Sequence, residues 1–162
     1  MNFFDPQYIT ESARKDVLFG LVDDGVLARS TTENEPRWLA TIENPNGKDV
    51  QFVPVDHNIK VMEAKNERSM CDGMLYDGDQ AWLAFVEMKE QVSEWMRDAR
   101  NQLESTVEFF RACHDISLFK YRFAYAANRK HPHFQFSQKE TMQHFYNEYK
   151  FRLLFQKNIC VK

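Results

Sequence analysis

The chain has 162 residues, 43% hydrophobic and 14% aromatic, with 14 phenylalanines and a formal charge of −3. That length holds a real core, the aromatic load excludes a disordered chain, and the slight acidity excludes a surface that is basic all over. A nucleic-acid partner would therefore need locally concentrated cations.

Asp5-Pro6 predicts a helix start. Ile9, Val17, Leu18, Leu21 and Val22 continue it as an apolar stripe towards a stop at Asp24-Gly25, with Glu11, Arg14 and Lys15 mostly on the other side. Residues 28–36 are polar, contain Thr31, Thr32, Asn34 and Pro36, and predict a connecting loop. Residues 38–43 and 49–55 predict two strands joined by the turn signal Asn44-Pro45-Asn46-Gly47, and a short strand is expected at 59–62. Two apolar runs at 70–76 and 82–89 then flank Asp77-Gly78-Asp79-Gln80, which reads as a β-hairpin.

Past Lys89 the period changes. Val92, Trp95, Met96, Ala99, Leu103, Val107 and Phe110 recur at helical steps, predicting a long amphipathic helix to about Cys113. Residues 117–127 predict a strand whose Phe119, Tyr121, Phe123 and Tyr125 share one face, which suits base stacking or, as expected here, core packing under a helix. A basic loop follows at Asn128-Arg129-Lys130-His131-Pro132-His133. Ser137 and Glu140 form a capping box for a last helix carrying Met142, Phe145, Tyr149 and Leu153, and a short strand is expected at 159–161. This order predicts an α/β (α+β) fold, a mixed β-sheet core flanked by helices, with residues 1–162 as a single domain.

Cys71, Cys113 and Cys160 are odd in number and widely spaced, which suits a reducing, cytoplasmic compartment and shows no zinc spacing. The start Met1-Asn2-Phe3-Phe4-Asp5-Pro6 lacks a basic region and an apolar core, so no secretory signal is expected. No apolar run approaches the roughly 20 residues that span a bilayer, so no membrane partner is expected.

Chemistry concentrates in the hairpin. Glu87 and Lys89 point the same way with Met88 opposite, and antiparallel pairing brings Asp72 to the end of that strand. Two carboxylates are hard oxygen donors that suit Mg²⁺ or Mn²⁺, with a lysine beside them. The same Glu-x-Lys also reads as a solvated ion pair of little energetic worth. Arg129 and Lys130, with Lys120 and Arg122 on the preceding strand, make the best basic cluster for DNA phosphates, or an ordinary charged loop. His131 and His133 lack a third metal ligand at useful spacing, and Cys71 lacks a local histidine, so core and surface roles are expected for them. Asp77 and Asp79 are expected only to favour the turn.

Asp72, Glu87 and Lys89 on adjacent strands, followed by a long helix, resemble the core of the PD-(D/E)xK nuclease superfamily, the restriction-endonuclease-like proteins. Cys71-Asp72, Val86-Glu87-Met88-Lys89 and Gln102-Leu103 are also similar to a small bacterial branch of uncharacterised role. The resemblance covers residues 50–130, and the flanks only by element order. It implies a helix, a three-stranded hairpin-type sheet, a crossover helix and a fourth strand. It further implies a metal-dependent nuclease that hydrolyses DNA phosphodiester bonds with Mg²⁺ or Mn²⁺. Asp72 and Glu87 would hold the metal, Lys89 would orient the attacking water, and Gln102 would assist from the helix. Cys71 stands where the family often has proline. The family's first-helix glutamate corresponds either to Glu11 or, from an earlier strand end, to Asp56. The alternative is a nuclease-like protein without catalysis, an interaction subunit with a protein partner in a bacterial defence or mobile-element system. A homo-oligomer is compatible with either.

Overall fold

Period-two alternation builds the centre of the molecule. The strands β7 (Gly73–Asp77) and β8 (Trp82–Lys89) pair antiparallel, with Gly73 opposite Val86 and Tyr76 opposite Leu83. Asp77 closes their turn, its Oδ1 accepting from the backbone N–H groups of Ala81 (2.8 Å) and Trp82 (3.0 Å). In the computed structural model, which describes residues 1–131 and 138–162, this hairpin lies inside a five-stranded sheet.

Strand β4 (Val50–Pro54) flanks β7 antiparallel. After β8 the helix α1 (Trp95–Cys113) crosses over, and β9 (Tyr121–Asn128) returns parallel to β8. The helix α2 (Lys139–Tyr149) then leads to β10 (Arg152–Phe155), parallel to β9 at the sheet edge. Parallel neighbours need such crossovers, and helices supply them. The order across the sheet is β10-β9-β8-β7-β4.

Each face of this sheet has its own core. On the helix side, Trp95, Ala99, Leu103, Val107 and Phe110 of α1 pack over Leu83 and Phe85 of β8 and the small Ala124 and Ala126 of β9. Phe85 meets Phe110 edge-on at 5.2 Å, an arrangement aromatic rings favour. On the other side, Trp82, Ala84, Val86, Phe123 and Tyr125 face a second, four-stranded sheet. It is built from β1 (Leu18–Asp23), β2 (Ala28–Thr31), β3 (Ala40–Glu43) and β11 (Asn158–Cys160), in the order β11-β3-β1-β2. A small ribbon of β5 (Met62–Glu63) and β6 (Asn66–Glu67) lies apart from both.

The α+β class holds, and several local expectations change. The helix expected to run from Asp5-Pro6 to Asp24-Gly25 is a single 3-10 turn at Pro6–Tyr8, and its second half is strand β1. Phe19 and Leu21 point into the inter-sheet core while Val17 and Leu18 stay exposed. Gly20 makes this possible: a Cβ there would lie 2.1 Å from the indole of Trp38, which occupies that space. Part of the expected 28–36 loop is β2.

The Asn44–Gly47 turn forms, with Gly47 at φ 58°, yet β3 and β4 do not pair with each other. The chain passes there from one sheet to the other, braced by the Asn44 amide, which donates to the carbonyls of Asp16 (3.2 Å) and Lys48 (2.8 Å). The expected 59–62 strand is only the start of the small ribbon. The aromatic face of β9 packs on the second sheet rather than under a helix, and Phe119 joins the helix-side core instead. Leu153 belongs to β10, because α2 ends at Lys150 in the left-handed region (φ 63°). His133 and the capping-box Ser137 lie outside the described residues. Among the described residues no helix is long and apolar enough to cross a membrane.

Candidate active site at the end of the central hairpin

Asp72 immediately precedes β7 and lies across the ladder from Glu87. Reciprocal hydrogen bonds lock the two: the Asp72 N–H donates to Glu87 Oε1 at 3.1 Å, and the Met88 N–H donates to Asp72 Oδ2 at 2.7 Å. Gly73 lets the strands close here, since a Cβ would lie 2.3 Å from the Phe52 ring. On the same face of β8, Lys89 Nζ stands 3.0 Å from Glu87 Oε2. The fold therefore brings Asp72, Glu87 and Lys89 together, as the hairpin register requires.

Burial sets the electrostatics of this trio. Glu87 is 4% exposed, and desolvation pushes its carboxyl well above the ordinary range. The neighbouring Asp72 charge pushes it further, while Lys89 opposes both effects. Asp72 is also raised by burial, against the Met88 N–H and a hydrogen bond with Glu87 that favour its charged form. Both carboxyls are thus held above their ordinary range, burial being the largest cause for each.

Lys89 opens into a cleft of about 350 Å³ lined also by Ser69, Asp98, Asn101 and Gln102. Gln102 projects from α1, its side-chain oxygen accepting from the Ser69 hydroxyl. One turn further on, Thr106 Oγ1 accepts from the Cys71 N–H at 2.7 Å and donates to the Gln102 carbonyl at 2.9 Å. These bonds pin the segment leading to Asp72 against the helix. Cys71 is fully buried, and desolvation drives its thiol upward, which suits a core cysteine and not a nucleophile. Asp98, Asn101 and Ser69 were absent from the sequence expectations. Asp98 had one signal, a place four residues before Gln102 on the same helix face. It accepts from the Gln91 amide at 3.1 Å.

The candidates for a third carboxylate lie elsewhere. Glu11 is bound to Ser30 of β2, taking its backbone N–H at 3.1 Å and its hydroxyl. Asp56 is near enough to raise Asp72 electrostatically, yet it is half exposed and sits 3.3 Å from His57. Among the described residues no three His, Cys, Asp or Glu side chains form a group that would hold a metal ion. The donor chemistry of Asp72 and Glu87 nevertheless fits Mg²⁺, which takes one or two carboxylates and keeps several waters. A cation between them would also relieve the repulsion that raises the Glu87 carboxyl beside Asp72.

The four expected DNA-contacting cations do not form one cluster. Lys89 pairs in register with Asn128, so Arg129 and Lys130 emerge beside the carboxylates. Arg129 meets Glu90 at 2.6 Å and, with Arg29 and Arg37, lines a second cleft of about 250 Å³ on the other side of the sheet. Lys120 and Arg122 lie at the opposite end of β9, where Tyr121 pairs with Trp82. Arg122 there donates to the carbonyls of Lys150 (2.9 Å), Ile116 (3.0 Å) and Phe119 (2.9 Å). At about 3.3 Å per strand residue the two pairs stand more than 20 Å apart. His131 stacks on Trp95 at 6.2 Å. In comparisons with protein-family models, curated proteins and solved structures, nothing matches this chain.

Proposed function

We propose that the protein is a cytoplasmic, metal-dependent nuclease that hydrolyses DNA phosphodiester bonds at Asp72, Glu87 and Lys89. The observation that carries this reading is their convergence across β7 and β8, with Lys89 opening into a cleft that Gln102 also lines. Asp72 and Glu87 would hold Mg²⁺ or Mn²⁺ through their carboxylate oxygens. A divalent cation held there supplies Lewis-acid polarisation of a phosphodiester and lowers the pKa of an attacking water. Lys89, once Glu87 is engaged, turns its charge towards the phosphate and stabilises the negative charge that develops on it. Gln102 orients the water from the helix side, and Arg129 and Lys130 steady the DNA backbone from the same end of the sheet.

The test is cleavage of plasmid and single-stranded DNA with Mg²⁺ or Mn²⁺, run beside Glu87→Ala and Lys89→Ala. Activity in the parent and none in either variant supports the reading. Equal activity in all three assigns the cleavage to a contaminant.

One observation favours a second reading, a nuclease-like subunit that binds a protein partner without hydrolysis. Lys89 and two backbone N–H groups already engage three of the four carboxylate oxygens. This reading predicts a folded protein with no divalent-ion binding and a partner contact indifferent to Asp72→Ala. Metal-dependent cleavage by the isolated chain would remove it.

A further inference from the structure

The separation of Lys120 and Arg122 from the carboxylates exposes a different site. At the N-terminal ends of β9 and β10, a cleft of about 110 Å³ is lined by Lys120, Tyr121, Arg122, Phe123, Tyr146, Lys150 and Arg152. Four of these are cations and three are aromatic, and no carboxylate is among them. Among the described residues none of the four cations belongs to an ion pair. In a chain of net charge −3 this is a local concentration of positive potential.

Neutralising the end of α2 explains part of it. Lys150 caps that helix and donates to the Asn147 carbonyl at 3.0 Å, and Arg122 donates to the Lys150 carbonyl. Lys120 and Arg152 have no such task. Their charged groups lie 5.1 Å from the ring centres of Tyr121 and Tyr146, and both side chains are exposed. The rings of Tyr121 and Tyr146 are themselves partly open. Cations outside any ion pair among the described residues, two of them over Tyr146 and one over Tyr121, alternating with half-buried tyrosines match a chain of phosphates alternating with flat bases. A duplex keeps its base faces stacked inside, whereas a single strand offers them to aromatic side chains.

We propose that this cleft binds single-stranded nucleic acid, with Lys120, Lys150 and Arg152 on phosphates and Tyr121 and Tyr146 stacking bases. The site stands on these residues alone, whether or not the carboxylates at the other end of the sheet cleave.

The experiment is fluorescence anisotropy with a labelled oligothymidylate, titrated in EDTA so that binding is read without cleavage, over a range of salt. The parent, Lys150→Ala/Arg152→Ala, Tyr146→Ala and a control, Lys60→Ala/Lys65→Ala on the distant ribbon, are compared after their melting curves show them folded. Lys120→Glu serves if the double variant does not fold. The expected result is binding that weakens with salt, a loss of about tenfold in both the double variant and Tyr146→Ala, and a duplex that competes poorly. In the double variant the slope of log affinity against log salt falls by about 1.4, at roughly 0.7 per phosphate contact. Absence of binding by the parent at low salt, or equal losses in the control, overturns the site. An unaffected Tyr146→Ala, or a duplex that binds as well as the single strand, overturns the assignment to single-stranded nucleic acid.

Discussion

The two ends of the β8–β9 pair use charge in opposite ways. At one end Asp72, Glu87 and Lys89 are held within hydrogen-bonding distance of one another, largely out of water, where each charge depends on its neighbours. At the other, Lys120, Lys150 and Arg152 stand in water over aromatic rings and depend on little. Burial is what separates them. Desolvated charges couple strongly and suit chemistry, whereas exposed cations act additively and suit the capture of a polyanion.

The largest effect expected from breaking this contrast is on cleavage. Glu87→Ala or Lys89→Ala should lower kcat by about 10² to 10³, the usual cost of removing one preorganised charge-stabilising group. Changes to the exposed cluster should appear in the affinity for nucleic acid, read by anisotropy. A comparable loss of kcat from Lys120→Ala would erase the distinction between the ends.

Gly73→Ala comes next. Its Cβ would meet the Phe52 ring at 2.3 Å, so β7 must shift, and with it Asp72. A cost of about 1–3 kcal/mol in urea unfolding is expected, as for other overpacked sites, together with a loss of activity. Full stability in this variant would show that the strands yield more easily than the geometry implies.

The pH dependence is smaller and sharper in meaning. Asp72 and Glu87 have carboxyls raised by burial in the folded chain, so the native state binds protons more firmly than the unfolded one. Their contribution to stability is therefore complete below the ordinary carboxylate range and is lost as pH rises through their raised folded values. In EDTA, the parent should lose stability relative to Glu87→Gln as pH rises through that window, measured by urea midpoints. Parallel curves would mean that the carboxyls are solvated.

Smallest is Arg129→Ala, which removes an exposed ion pair with Glu90 and one proposed DNA contact at the carboxylate end of the sheet, across from the Lys89 cleft. Folding stability should change by less than about 1 kcal/mol, read from the urea midpoint, and the salt slope of DNA binding should fall by about one contact.

What could be read in advance follows from where each element's information resides. The central hairpin and α1 carry their own period, and antiparallel register alone brings Asp72 to Glu87 and Lys89. Strand β1 does not. Leu18, Leu21 and Val22 fit a helical step as well as a strand, and the choice rests on Gly20 admitting the ring of Trp38, a contact between distant residues. The turn at Asn44–Gly47 is local, whereas the partners of β3 and β4 belong to different sheets, which no turn signal reveals. Ser69 and Asp98 enter the cleft because Thr106 fastens the Cys71 backbone to α1. Lys120 and Arg122 are near Arg129 in sequence, yet the extended strand β9 between them puts them at opposite ends of the sheet.

The central claim is that the buried carboxyls of Asp72 and Glu87 bind a divalent cation in competition with protons. Calorimetric titration of Mn²⁺ into the parent and Glu87→Gln, in buffers of different ionisation enthalpy, tests it most directly. The account predicts binding by the parent with proton release that fades as pH rises past the raised carboxyl values, and loss of both in Glu87→Gln. No Mn²⁺ binding by the parent, or equal binding by the two proteins, would contradict it.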